Sequence, residues 1–277
     1  MNTGLRGVPG MGRDSDSSAT GNNGAKKKKM TAGVPLAKLI KRKLANVPEI
    51  VLLNKPRSVA AERFRRLRTV LANLADGSPS VIVVTSAGSN DGKSFVSVNL
   101  ALAFASDQQG QVLLIDADLR RPSLEKYMEP PPKLGLTELL RGVSEPDHAI
   151  LELENAPLKI LPAGAPPRDP VELLASESAT ELIADLRRDF RRIVIDTPPI
   201  VPFTDADVLG GLSDGILLVA RSDRTRQSAY LQAVASVSST RVLGTVLNDQ
   251  TFSLADRSSY GEYRKGYYEY FDGEKEK

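Results

Sequence analysis

The sequence predicts an α/β fold, a mainly parallel β-sheet with helices on both faces. Two observations carry the prediction. Runs that are apolar at nearly every position recur along the chain, among them VIVVT (81–85) and GILLVAR (215–221), and stretches of helical periodicity separate them. Strands buried on both faces read as continuous apolar runs, and parallel neighbours need a long crossover, usually a helix. Apolar residues make up 41% of the 277, enough for a substantial core.

The elements follow in order. SVAAERFRRLRTVLANL (58–74) has helical periodicity, and VIVVT is a short buried strand. KSFVSVNLALAFASD (93–107) reads as a helix and QVLLIDAD (111–118) as a strand. A Pro-rich stretch, EPPPK (129–133), precedes a short helix at TELLRG. LKILPAG (158–164) predicts a strand, and PVELLAS and SATELIADLRRDF give helical signals. RRIVIDTPP (191–199) and GILLVAR are strong strands, TRQSAYLQAVASV (225–237) is a helix, and VLGTVLN (242–248) is the last strand. No internal repeat is present. Three regions follow: a disordered basic leader (1–33), a folded domain (34–250) and a flexible tail (251–277).

Composition narrows the function. The absence of cysteine excludes disulfides and thiolate metal sites and favours a reducing compartment. The single histidine, His148, excludes a His-rich metal centre. No stretch reaches the roughly 18 apolar residues needed to cross a bilayer, and no apolar segment follows the basic N-terminus as a signal peptide requires. A cytoplasmic protein is expected. The net charge of +3 is unevenly spread: the first 48 residues carry +8 and the remainder −5, which assigns the basic character to the leader. The KKKK run (26–29) in that leader could touch nucleic acid, or acidic lipid head groups and so place the protein at the inner face of the membrane, or it is simply solvated. No nucleic-acid partner is expected. At the other end, five of the seven tyrosines, Tyr260, Tyr263, Tyr267, Tyr268 and Tyr270, fall within eleven residues whose neighbours cannot build a core.

The chemistry is concentrated at SAGSNDGKS (86–94), which follows a strand and opens a helix. That context fits a phosphate-binding loop of the P-loop NTPase kind, in which backbone N–H groups and a helix N-terminus cradle phosphate oxygens. Lys93 would reach the β- and γ-phosphates and the Ser94 hydroxyl would bind Mg²⁺. Ala87 stands where the common motif has its first Gly, so the loop is a variant. Asp116 and Asp118 lie at the end of one strand and Asp196 at the end of another. Ligands of open parallel sheets bind at the carboxyl ends of strands, so the three acids should converge on the loop. Each Asp alone could be only a cap, but together they point to nucleotide and Mg²⁺ binding.

DADLRRP (116–122) resembles the second Walker-type motif, D-x-D-x-R after an apolar run, of the bacterial tyrosine kinases (BY-kinases). The likeness continues through LPAG…PP…P-VELL (161–174), IVIDTPP (193–199), TDADVL (204–209) and GTVLN (244–248). Glu62, Arg65 and Arg68 match that family's E-x-x-R-x-x-R oligomerisation motif, and the tail matches its tyrosine cluster. Arg168-Asp169-Pro170 departs from the family's usual P-N-P. The related MinD/ParA partition ATPases carry an extra lysine early in the phosphate loop, which Ala87-Gly88-Ser89-Asn90 lacks.

The resemblance implies a MinD/ParA-related fold and an ATP- and Mg²⁺-dependent tyrosine autokinase that regulates exopolysaccharide or capsule synthesis. The nucleotide would contact Ala87, Gly88, Ser89, Asn90, Asp91, Gly92, Lys93, Ser94, Phe95, Arg120 and Asn248. Ser94, Asp118 and Asp196 would hold the metal, and Asp116 would take the acceptor's proton. Glu62, Arg65 and Arg68 would join subunits into a homo-oligomeric ring, or make only intrahelical ion pairs. The ring would offer each tail to its neighbour in trans. A separate membrane chain-length regulator is the implied activator, as for the stand-alone members of the family. A partition-type ATPase and a nucleotide-dependent scaffold without kinase activity are the alternatives.

Overall fold

The computed structural model describes residues 39–44, 49–107, 109–129 and 131–249. The leader, the tail and its five tyrosines lie outside them. The folded region carries the expected α/β architecture. A nine-stranded sheet is ordered β4-β1-β5-β6-β3-β7-β2-β8-β9. Its strands are β1 (Ile40–Leu44), β2 (Val81–Ser86), β3 (Val112–Asp116), β4 (Met128–Glu129), β5 (Leu151–Leu153), β6 (Lys159–Leu161), β7 (Arg192–Asp196), β8 (Gly215–Arg221) and β9 (Val242–Asn248). The block from β6 to β9 is parallel throughout, and only β1–β4 and β5–β6 pair antiparallel.

The first half of the sheet was only partly legible. Ile40–Leu44, IKRKL, pairs in parallel with β5, although its three consecutive cations hide the strand pattern. Lys41, Arg42 and Lys43 therefore belong to a strand near the sheet's edge, which corrects the assignment of all the N-terminal basic character to the leader. Edge strands tolerate charge because one side faces water.

The two faces are covered by different helices. On one face lies α3 (Lys93–Ala105), which is buried along nearly its whole length. It packs on Val84, Leu114 and Val194 and is itself roofed by α2 (Val59–Ala72). Such a helix is apolar nearly all round, as FVSVNLALAFA is, and the two buried polar residues of that stretch, Ser97 and Asn99, are hydrogen-bonded. The N-terminus of α2 is fixed by Ser58, whose hydroxyl accepts the Ala61 N–H at 3.2 Å. On the other face Ile115 and Ile195 meet α4 (Leu136–Leu140), α6 (Pro170–Leu174), α7 (Glu177–Asp189) and α8 (Asp205–Gly210). Strand alternation divides each apolar run between the faces: Leu114 points to α3 and Ile115 away. α1 (Val51–Asn54), α5 (Pro146–Ala149) and α9 (Gln227–Ala235) complete the helices of the described residues.

Candidate active site

Three parallel strands deliver the predicted residues to one edge. In the register of β3 and β7, Asp116 lies opposite Asp196, and β2 on the far side of β7 runs directly into the phosphate loop. Asp116 and Asp196 are both completely buried, and Lys93 at the start of α3 is 8% exposed.

The loop is held by its own side chains. Gly92 has φ +96°, a left-handed conformation that glycine adopts without steric cost. A Cβ there would also fall 2.0 Å from the Asn248 amide nitrogen. Asn248, expected at the nucleotide, donates to the Asp91 carbonyl at 3.0 Å and so backs the loop from β9. The Asp91 carboxylate turns inward, accepting the Gly88 N–H at 3.1 Å and the Thr225 hydroxyl at 2.9 Å. Ala87 is buried, and Ser89 and Asn90 are exposed at the loop's crest. The Phe95 ring packs edge-on against Phe64 with centroids 5.5 Å apart, so its side chain serves the α2–α3 contact.

The acids are arranged unequally. Asp116 accepts three backbone N–H groups, from Asp118 at 3.1 Å, Ser123 at 3.1 Å and Leu124 at 3.0 Å. Burial and the neighbouring Asp196 nonetheless raise its pKa to about 8. Asp196 accepts the Ser97 hydroxyl on Oδ1 at 3.0 Å, while its buried Oδ2 has no hydrogen-bond partner. Burial raises its pKa to about 6, against the pull of the nearby Ser94 hydroxyl and of Lys93. Asp118 is raised too, mainly by burial, and it accepts the Arg121 N–H at 3.0 Å. The Ser94 hydroxyl accepts a hydrogen bond from that of Ser123 at 2.7 Å, which ties the phosphate loop to the DxD loop. Among the described residues no group of three His, Cys, Asp or Glu side chains could hold a metal by itself. The orphaned Asp196 oxygen beside Ser94 and Lys93 is the feature that suits a cation shared with a ligand.

Arg120 is paired with a buried carboxylate. Its Nε and Nη2 donate to the two oxygens of the completely buried Asp205, at 3.1 and 3.2 Å, and its guanidinium lies 4.3 Å from the Phe203 ring centroid. Glu62 and Arg65 form an ion pair at 3.0 Å, Arg65 also donates to the Pro56 carbonyl, and Arg68 donates to the Ala103 carbonyl at 3.3 Å. These three residues thus have partners within their own chain. Ser97, Ser123, Thr225, Asp205 and Arg221 were missed as site residues. Asp205 lies within the quoted TDADVL stretch, but the other four carry no motif of their own, and only the fold brings them to this edge.

Comparison with known proteins agrees with the geometry. The CobQ/CobB/MinD/ParA nucleotide binding domain family matches residues 82–259. The tyrosine-protein kinase YwqD of Bacillus subtilis is 34% identical over 218 residues, covering 77% of this chain and 90% of that protein. The succinoglycan biosynthesis transport protein ExoP of Rhizobium meliloti is 33% identical over 231 residues, 80% of this chain but only 29% of ExoP. The crystal structure of the chimerical protein CapA2B2 superposes with a TM-score of 0.71 at 26% identity, covering 77% of this chain and 95% of that one.

Proposed function

Because the chain belongs to the bacterial tyrosine kinases of the CobQ/CobB/MinD/ParA nucleotide-binding family, we propose that it transfers the γ-phosphoryl group of ATP to its own tyrosines between 260 and 270. One observation carries this reading beyond kinship: Lys93, Ser94, Asp116, Asp118 and Asp196 are all present and meet at a single sheet edge.

The residues fit Mg²⁺ and a triphosphate. Ser94 and Asp196, with Asp118 through water, would hold the ion, using the Asp196 oxygen that otherwise has no partner. The metal, when bound, neutralises charge on the β- and γ-phosphate oxygens. The chain does the rest. Loop N–H groups and the α3 N-terminus orient the phosphates, and Lys93 offsets the charge developing on the transferred group. Asp116 accepts the tyrosine proton. Burial and the Asp196 charge raise this carboxyl, and only its ionised form can act as the base; a cation held at Asp196 would offset that charge and favour the ionised form. Its three backbone N–H bonds fix its orientation.

The phosphate loop and Asp116 are well separated in sequence from the tail, and Glu62, Arg65 and Arg68 present a half-buried stripe on α2. That stripe supports a ring in which each subunit offers its tail to a neighbour. The sheet domain, spanning 34–250 in this reading, would then be the catalytic unit, with 1–33 and 251–277 as its leader and substrate tail. Several phosphates on so short a segment, about −1.5 to −2 charges each, would repel one another and loosen that ring. Kinship with ExoP, a succinoglycan biosynthesis transport protein, supports a role in exopolysaccharide synthesis or export. In this reading a separate membrane protein is the activator. Mass spectrometry of the tail from cells tests the central claim. Phosphotyrosine is expected in the wild type and absent in Lys93→Met, and its persistence in that variant would sink the autokinase reading.

A further inference from the structure

Arg221, the last residue of β8, holds two distant pieces of chain at once. Its Nε and Nη2 donate to Asp249 Oδ2 at 2.9 and 2.6 Å, and its Nη1 donates to the carbonyl of Asn90 at 3.2 Å. Asn90 is at the crest of the phosphate loop. Asp249 directly follows β9, where the chain sets out toward the tyrosine segment.

Backbone strain marks the same places. Among the described residues three non-glycine positions have a left-handed φ: Asn90 at 65°, Asp223 at 57° and Asp249 at 53°. Arg221 bridges two of them and lies two residues from the third. Such conformations persist only where the surroundings over-determine them, and they concentrate at functional sites. The bracing continues through the backbone. The Arg221 N–H donates to the Thr225 hydroxyl at 2.8 Å, and that hydroxyl donates to Asp91 at 2.9 Å. Asp91 in turn accepts the Gly88 N–H. The loop's shape is therefore set by contacts from the ends of β8 and β9, and one of the tethers is shared with the root of the tail.

We propose that Arg221 is a positioning residue that couples the seat of the tail's root, at Asp249, to the phosphate-binding shape of residues 88–92. The inference rests on the reading of that loop as a nucleotide site. With Asp249 seated, the guanidinium fork is oriented and Nη1 is aimed at Asn90. When the segment beyond Asp249 is drawn away, the fork loses its anchor and the Asn90 carbonyl loses its donor. Linkage makes the coupling reciprocal: a bound nucleotide holds the root in place by the same factor by which the seated root improves nucleotide binding. Drawing a tail into an active site would then loosen the nucleotide held beside that tail's own root, which favours release of spent ADP.

The test uses the full-length chain with two readouts. One is the affinity for a fluorescent ADP analogue with Mg²⁺, and the other is hydrogen exchange at the amides of residues 88–92 without nucleotide. Arg221→Ala should weaken binding by about tenfold and speed loop exchange, Arg221→Lys should recover only part because it lacks the fork, and Asp249→Asn should weaken binding several-fold. The Asp249→Asn effect should vanish in the Arg221→Ala background, as coupling through one side chain demands. Equal Asp249→Asn effects in both backgrounds, or unchanged affinity and exchange in Arg221→Ala, would overturn the proposal. A wild-type protein that binds no nucleotide would instead overturn the proposed function, with loop exchange still deciding whether Arg221 and Asp249 act together.

Discussion

Asp196→Asn should make the nucleotide-free protein more stable while disabling it. In the wild type, burial lifts the Asp196 carboxyl from 3.8 to about 6. A folded-state pKa above the unfolded one means that stability is fully present below pH 4 and is lost as pH rises toward 6, after which the penalty is constant. Two pKa units correspond to about 3 kcal/mol, a figure already net of the attraction to Lys93 and an upper one because the asparagine amide brings its own cost. Asparagine suits the site sterically. Its Oδ1 can keep the Ser97 hydroxyl, while its amide nitrogen puts buried donors where an oxygen without a partner stood, which offsets part of the gain. It also removes the charge that helps to raise Asp116. A net gain of roughly 1–3 kcal/mol should lift Tm by about 3–9 °C for a domain of this size. The assay is thermal unfolding of both proteins in magnesium-free buffer with chelator, from pH 4 to pH 8. The Tm difference should be near zero at pH 4, grow to pH 6 and stay positive above. Autophosphorylation, and the stabilisation conferred by Mg²⁺ with nucleotide, should fall in the variant. An Asp196→Asn protein no more stable than wild type at pH 7.5, or a gain independent of pH, would refute the reasoning. The exchange of stability for function is what a buried, unpartnered carboxylate at an active site implies.

Two other outcomes follow from the geometry. Gly92→Ala meets both a left-handed φ and an amide nitrogen 2.0 Å from the new Cβ, so Asn248 must leave Asp91. Nucleotide binding measured by titration calorimetry should drop at least about tenfold, and Ser at this position should do no better. Glu138 is buried and accepts the N–H of Gly135 at 2.8 Å and of Ala165 at 3.2 Å, clamping the PAG turn after β6. Glu138→Gln points an amide at one of those N–H groups and should cost about 1–3 kcal/mol in urea denaturation.

The legibility of the chain varies along its length for physical reasons. VIVVTS, VLLID, RIVID and GILLVAR were readable because strands buried on both faces leave no room for polar residues. IKRKL was not, because beside the short outer strand β4 its cations can turn to solvent. The 3₁₀ turn at Leu124–Tyr127 and the short strands β4 and β5 left too few residues for any period to register. At the site, GKS and the three acids were legible because phosphate and metal chemistry admits few residue types. The bond by which Asn248 backs the loop at Asp91 is not legible, since nothing in VLGTVLN points to that partner.

The sequence by itself determined the alternating architecture, the phosphate loop, the carboxylates and the tyrosine-rich end. Periodicity and ligand chemistry are local constraints, written into neighbouring residues. Only the tertiary structure decided which side chains brace the site: Ser97 on Asp196, Thr225 on Asp91, Asp205 on Arg120 and Arg221 on Asn90. Those contacts join residues 85 to 134 positions apart. They exist because the parallel crossovers bring the carboxyl ends of β2, β3, β7, β8 and β9 to one edge, and no local pattern encodes that meeting.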